Sequence, residues 1–208
     1  MTAAALLVIA KAPVAGRSKT RLCPPCTPEE AAGLAEAALA DTLAAVLDTP
    51  APRRVLVLDG EPGDWLPEGF EVLPQRGRGL EERLAAAFAD AGGRGFLVGM
   101  DTPQVTPALL AEGLRAVDAG AAAFGPAGDG GYWAIGLPDP DARVFTGIPM
   151  STSQTGAAQR TRLVQLGYVV ADLPALRDVD TIGDAHEVAA AAPGSRFARA
   201  FAALAVTA

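Results

Sequence analysis

The chain has one histidine, His186, two cysteines, Cys23 and Cys26, and only two lysines, Lys11 and Lys19, among 17 basic residues. Each scarcity narrows the chemistry. A lone histidine in a helical stretch is more often structural than catalytic, so a reaction built on an imidazole base is not expected. A structural zinc site would need two ligands beyond Cys23 and Cys26, and no thioredoxin-like context surrounds the pair, so Cys23-Pro24-Pro25-Cys26 reads as a proline-stiffened loop exit. No apolar run approaches the roughly 20 residues that span a bilayer, and no basic stretch precedes the short N-terminal apolar run. A cytoplasmic location is expected. The net charge of -7 argues against nucleic-acid and anionic-membrane partners, which most of such a surface would repel.

What is present begins with 208 residues, half of them hydrophobic, enough for one core and one domain over residues 1–208. Leu6–Ala10 is a short, continuous apolar run that suits a strand buried on both faces. Pro13 and Gly16 break it, and Lys11, Arg17, Lys19 and Arg21 then crowd four cations into a small loop. Both lysines of an otherwise arginine-only chain lie here, which suggests that compact, flexible ammonium groups are wanted to meet phosphate oxygens. The loop follows an N-terminal strand, where α/β folds place ligands. It is neither a Walker loop, since Pro13 and Ser18 hold places that would need glycine, nor a dinucleotide G-x-G-x-x-G loop.

Thr27-Pro28-Glu29-Glu30 is a helix start with a capping box, and the helix runs to about Asp48. Strands are expected at Val55–Leu58 and Phe70–Leu73, with a helix from Leu80 to about Ala91. Gln75, at the exit of the third strand, has an amide suited either to a nucleobase edge or to a turn. Phe96–Met100 delivers Asp101 at its carboxyl end, a position for a magnesium ligand, and Thr106-Pro107 caps the helix that follows. Gly125–Gly131 holds four glycines and Asp129 between apolar runs, which reads as a hairpin turn or a wall that a ligand approaches closely. Ser151-Thr152-Ser153 is expected to cap a helix ending near Gly167, with a strand at Tyr168–Ala171. In Asp178-Val179-Asp180, two carboxylates on alternate residues of an extended segment are expected to point to opposite faces, so at most one of them is expected to face a metal, and either could cap the helix that carries His186.

Together these motifs resemble a known family. Lys11-x-Pro13-x-x-Gly16-x-x-Lys19-Thr20-Arg21-Leu22, Gly99-x-Asp101-x-Pro103, Gly125-Pro126-x-x-Asp129-Gly130-Gly131-Tyr132, Ser151-Thr152 and Asp178-Val179-Asp180-Thr181 are similar to a bacterial family of small GT-A-fold transferases. It is known as a glycosyltransferase-like or arsenosugar-pathway transferase family. The pattern is also similar to phospholactate and phosphoenolpyruvate guanylyltransferases and, more distantly, to molybdenum-cofactor nucleotidyltransferases. Met100, Thr102 and Met150 depart from residues common in the family.

The resemblance implies a three-layer α/β/α sandwich with a mostly parallel mixed sheet of the nucleotide-diphospho-sugar transferase type, and a Mg2+ cofactor. Carried onto this chain, it implies metal ligands at Asp101 and Asp180, with Asp129 a candidate for a second ion or an acceptor hydroxyl. Lys11, Gly16, Arg17, Lys19, Arg21 and Gln75 would bind the nucleotide, and Lys19, Arg21 and Asp101 would serve the reaction directly. Gly130 and Gly131 would offer backbone amides to the acceptor beside Ser151 and Thr152.

Gly99 stands where a sugar transferase's D-x-D motif has its first aspartate. Four cations suit a triphosphate and its departing pyrophosphate, so nucleotidyl transfer to a small phosphate, phosphonate or arsonate acid is the expectation. Glycosyl transfer from a nucleotide sugar, and nucleotide binding without turnover, are the alternatives.

Overall fold

The computed structural model describes residues 3–204. Seven strands form one sheet: β1 (Ala5–Lys11), β2 (Arg54–Asp59), β3 (Glu71–Pro74), β4 (Gly95–Gly99), β5 (Ala122–Pro126), β6 (Tyr132–Leu137) and β7 (Val170–Asp172). Their order is β3-β2-β1-β4-β6-β5-β7. β6 runs antiparallel to both β4 and β5, and the other strand pairs are parallel. The exception follows from connection length. The five residues between β5 and β6 can only fold the chain back on itself, whereas parallel neighbours require longer crossovers, a helix between β1 and β2 and an eleven-residue loop between β2 and β3.

Helices cover both faces. α1 (Pro28–Leu47) and α3 (Pro107–Asp118) pack Leu39, Leu43, Val46, Leu110 and Leu114 over Leu6, Val8, Leu56, Phe96 and Val98. α2 (Leu80–Asp90) and α4 (Thr155–Gln165) cover the opposite face, where Phe88 and Leu163 meet Leu7, Val57 and Leu97. Both faces of β1 are therefore buried, as its unbroken apolar run demands. The result is the expected α/β/α sandwich.

A third cluster matters most for the site. α5 (Ile182–Ala191) and α6 (Arg196–Ala203) pack on α1 through Leu34, Ala38, Val188, Phe197 and Phe201, and both Leu22 and Val179 are buried in the same cluster. The end of the basic loop and the acidic segment near the C-terminus are thus pinned to one core.

Helix starts agree with local chemistry at most positions. Thr27 and Glu30 form the capping box of α1, and Thr106 accepts from Leu109 N at the start of α3. Two expectations are corrected. Neither Asp178 nor Asp180 caps α5, because Thr181 does so in a second capping box with Asp184. Ser151–Ser153 do not cap α4 either: its first turn follows Gln154, and the Thr152 hydroxyl instead accepts from Gln154 N within the preceding turn.

Candidate active site

The connection after β1 leads to β2 on one side, whereas the connection after β4, its neighbour on the other side, leads away to β5, so the two diverge at the carboxyl ends of these strands. Such a divergence opens a crevice in which α/β sheets bind ligands. Here the crevice is a cleft of about 780 Å³, walled by the basic loop, Gly99–Asp101, the β5–β6 turn, residues 150–153 and the acidic segment.

The basic loop is shaped by one serine. The Ser18 hydroxyl accepts from Val14 N at 3.0 Å and donates to the Ala12 carbonyl at 3.2 Å, while Arg17 N and Ser18 N both donate to the Val14 carbonyl. Gly16, at φ +75°, takes the left-handed turn that this closure needs. Lys11, Arg17, Lys19 and Arg21 all line the cleft, while Gly16 shapes the loop without lining it.

The four cations are not equivalent. Lys11 and Arg17 are exposed and make no ion pair among the described residues. The Lys19 side chain is only 9% exposed, lies 2.8 Å from Asp101 Oδ1 and 3.6 Å from Asp180 Oδ1, and donates to the Val179 carbonyl. Arg21, 72% exposed, lies 2.9 Å from Asp180 Oδ2. Two of the four are therefore turned toward acids in this structure.

The acids are assembled from three distant stretches. Asp101 follows β4, and its carbonyl accepts from Val179 N at 3.0 Å, which ties the acidic segment to the end of that strand. A parallel bridge pairs Ala127 with Leu176, and Gly128 N donates to the Leu176 carbonyl at 2.9 Å. Two residues further along each chain, that register brings Asp129 beside Asp178. Val179 points into the third core, so its two neighbours both point away from it.

Asp129, Asp178 and Asp180 accordingly place carboxylate oxygens within 4.8 Å of one another. This corrects the expectation that only one of Asp178 and Asp180 faces the metal, since alternate residues of an extended segment share a face. Burial, then the charge of Asp129, pushes the Asp178 carboxyl up to about 6, with Asp180 adding to the rise and Lys19 opposing it. Three hard oxygen donors crowded at like charge suit a divalent cation such as Mg2+ or Mn2+. Of the ligand set implied by resemblance, Asp129 and Asp180 belong to this group, whereas Asp101 faces Lys19.

Two further positions work differently from expectation. The Gln75 amide donates to the carbonyls of Ala10 at 2.7 Å and Val57 at 3.1 Å, and its oxygen accepts from Arg83 at 3.1 Å. Its N–H groups are spent on tying together the ends of β1 and β2, which leaves spare acceptor capacity on one oxygen for a base. Gly130 N donates to the Ala127 carbonyl and Gly131 N to Asp129 Oδ1 at 2.7 Å, so neither amide is free for an acceptor. The turn uses glycine for space instead. Gly130 sits at φ +91°, and a Cβ there would stand 2.2 Å from the Ser153 carbonyl oxygen.

Ser151 and Thr152 do line the cleft, with Asp129 and Gly131 near them. Arg78 and Arg83 on the α2 side also line it and carry no signal in the sequence beyond their charge. Arg83 is 2.7 Å from Asp59 Oδ2, and its hydrogen bond is the chief cause holding the Asp59 carboxyl below its usual range.

Comparison with known proteins agrees with this fold. Residues 34–152 match the DUF2064 family, described as "Uncharacterized protein conserved in bacteria". A phosphoenolpyruvate guanylyltransferase of Geodermatophilus obscurus is 33% identical over 181 residues, covering 80% of each chain. A candidate nucleotide-diphospho-sugar transferase from Desulfovibrio desulfuricans G20 superposes with a TM-score of 0.85 at 28% identity, covering 98% of this chain and 94% of its own. Rv0371c of Mycobacterium tuberculosis H37Rv, solved in complex with manganese, shares the fold at a TM-score of 0.50 and 23% identity, covering 90% of this chain and 98% of its own. With over half of its length matched by the family and 98% of it covered by the D. desulfuricans structure, the chain belongs to the DUF2064 family and has the nucleotide-diphospho-sugar transferase fold.

Proposed function

We propose that the protein is a metal-dependent nucleotidyltransferase that moves a nucleoside monophosphate from a triphosphate to a small anionic acid, with release of pyrophosphate. The observation that carries this reading is that one cleft is lined both by the cations of the basic loop and by Asp129, Asp178 and Asp180, with Lys11 and Arg17 left unpaired among the described residues. The similarity to a guanylyltransferase supports the same class of reaction.

Lys11 and Arg17, exposed and without an ion pair among the described residues, are the groups placed to hold the β- and γ-phosphates and to offset charge on the departing pyrophosphate. Arg21 reaches the same space beside Asp180. Asp129, Asp178 and Asp180 would hold Mg2+ or Mn2+, which when bound supplies Lewis-acid polarisation of phosphate oxygens. An anionic acceptor oxygen attacks the α-phosphorus in line, a new O–P bond forms, and the bond to pyrophosphate breaks. An acceptor already ionised near neutral pH needs no side chain to remove its proton, in keeping with a cleft that contains no histidine. Ser151 and Thr152 line the part of the cleft that would orient it.

Glycosyl transfer from a nucleotide sugar is the second reading, favoured by the 28% identity to the D. desulfuricans protein. Pyrophosphate release separates the two. Each of the four ribonucleoside triphosphates is presented with Mg2+ and a panel of phosphates, phosphonates and arsonates. Release with one pairing supports nucleotidyl transfer, whereas no release with any pairing, alongside binding of a nucleotide sugar, moves the assignment to glycosyl transfer.

A further inference from the structure

Of all the cations in the cleft, Lys19 is the one most withdrawn from a ligand. Its side chain is nearly buried, its backbone is left-handed at φ 50°, and its ammonium is surrounded by Asp101 Oδ1, Asp180 Oδ1 and the Val179 carbonyl. The ammonium thus donates to the Val179 carbonyl and has its charge paired with Asp101, with Asp180 at the longer distance of 3.6 Å. Its charge is already engaged by two acids in this arrangement.

The surroundings make the placement consequential. Asp101 Oδ1 has no exposed surface and no hydrogen-bond donor of its own, so the Lys19 charge is what stabilises it. Asp180 belongs at once to the three-carboxylate group and to the Lys19 pair. The main chain keeps these parts in register, because Val179 N donates to the Asp101 carbonyl while Lys19 clasps the Val179 carbonyl from the other side.

We propose that Lys19 is a positioning residue for the metal site and not a phosphate ligand: its ammonium holds Asp101 apart from the other acids and shares Asp180 with the incoming cation. This rests on the metal-dependent reading above and deepens it. Lys19 then lowers the affinity of the site for a bare divalent ion, so that the ion is held well only when a polyphosphate supplies further oxygens. In electrostatic terms, a unit charge a few ångströms from a bound dication at a partly solvated site alters its affinity by about ten-fold or more.

The sign of one measurement separates the two roles. MnCl2 is titrated by calorimetry into metal-free protein, wild type and Lys19→Met, with no nucleotide present; inorganic tripolyphosphate is titrated separately in the presence of chelator. The expected result is Mn2+ binding about ten-fold tighter in the variant, with tripolyphosphate affinity changed by less than about three-fold. Unchanged or weaker Mn2+ binding overturns the proposal, as does a ten-fold loss of tripolyphosphate affinity. General damage to the fold would weaken the ion's binding, not tighten it. Should Lys19→Met fail to fold, Lys19→Gln, which is neutral but still able to donate to the Val179 carbonyl, carries the same test. A protein that releases pyrophosphate with Mn2+ but shows no gain in Mn2+ affinity on losing Lys19 would retain the nucleotidyltransferase reading and lose this one.

Discussion

Replacing Asp178 by asparagine removes the most strained charge of the cleft, and its consequences have opposite signs for stability and for metal binding. The Asp178 carboxyl titrates near 6 in the folded protein against an ordinary value of 3.8, chiefly through burial and the neighbouring charge of Asp129. A carboxyl whose folded value is raised binds its proton more tightly in the native state. The metal-free protein therefore loses stability as the pH rises from about 4 to about 6, and the loss is complete above that window. A shift of this size corresponds to about 3 kcal/mol, but the side chain is only half-buried, and solvent screening reduces the effect to about 1 kcal/mol. Asp178→Asn should thus raise the melting temperature of metal-free protein at pH 7 by about 2–4 °C.

Metal binding runs the other way, because the ion must displace the proton. With a carboxyl titrating near 6, the apparent Mn2+ affinity of the wild type should fall roughly ten-fold between pH 7 and pH 5. In Asp178→Asn, affinity should be weaker at pH 7, and the part of the pH dependence due to this group should vanish. Differential scanning fluorimetry and calorimetric titration at pH 5, 6 and 7 read both effects. A lowered melting temperature, together with an undiminished pH dependence in the variant, would refute the reasoning.

Other perturbations have equally definite expectations. Gly130→Ala places a Cβ 2.2 Å from the Ser153 carbonyl at φ +91° and should cost about 2–3 kcal/mol in chemical denaturation. Gly16→Ala, also left-handed but with nothing within 4 Å of its Cβ, should cost only about 1 kcal/mol. Gln75→Leu leaves the Ala10 and Val57 carbonyls without their amide donor and should lower stability by about 1–3 kcal/mol, seen as a shifted denaturation midpoint at unchanged slope. Arg17→Ala should weaken tripolyphosphate binding by about five-fold, with a shallower dependence on salt, and leave Mn2+ binding in the absence of polyphosphate unaltered.

Much of this architecture can be read from local pattern. Buried parallel strands announce themselves as short apolar runs, and Thr27-Pro28-x-Glu30 and Thr106-Pro107 mark helix starts because their chemistry is confined to a few adjacent residues. The four cations could be gathered from sequence for the same reason: they lie within eleven residues of one loop. Their division of labour could not. Whether an ammonium meets phosphate or carboxylate depends on segments 160 residues apart, joined only by the fold. The acidic group was half legible. Asp129 and Asp180 stand out in their motifs; that Asp178 faces the same way as Asp180 follows from the burial of Val179 between them, which only the fold reveals. The β5–β6 glycines signalled a tight approach, but the neighbour turned out to be the Ser153 main chain, so those glycines make room for protein and not for a ligand. Helix α6, which covers α1 and α5 through Phe197 and Phe201, is not among the elements expected from sequence, although those two residues lie four apart, the spacing of one helix face.

The central claim is transfer of a nucleoside monophosphate, and the fate of a label tests it most directly. A ribonucleoside triphosphate carrying 32P at the α-position is incubated with the protein, Mg2+ and the acceptor panel, in parallel with the same nucleotide labelled at the γ-position. The account predicts that the α-label enters a new adduct with one acceptor, that the γ-label leaves as pyrophosphate, and that both are lost in Asp180→Asn. Release of the γ-label as inorganic phosphate, or turnover confined to nucleotide sugars with a nucleoside diphosphate as product, would contradict it.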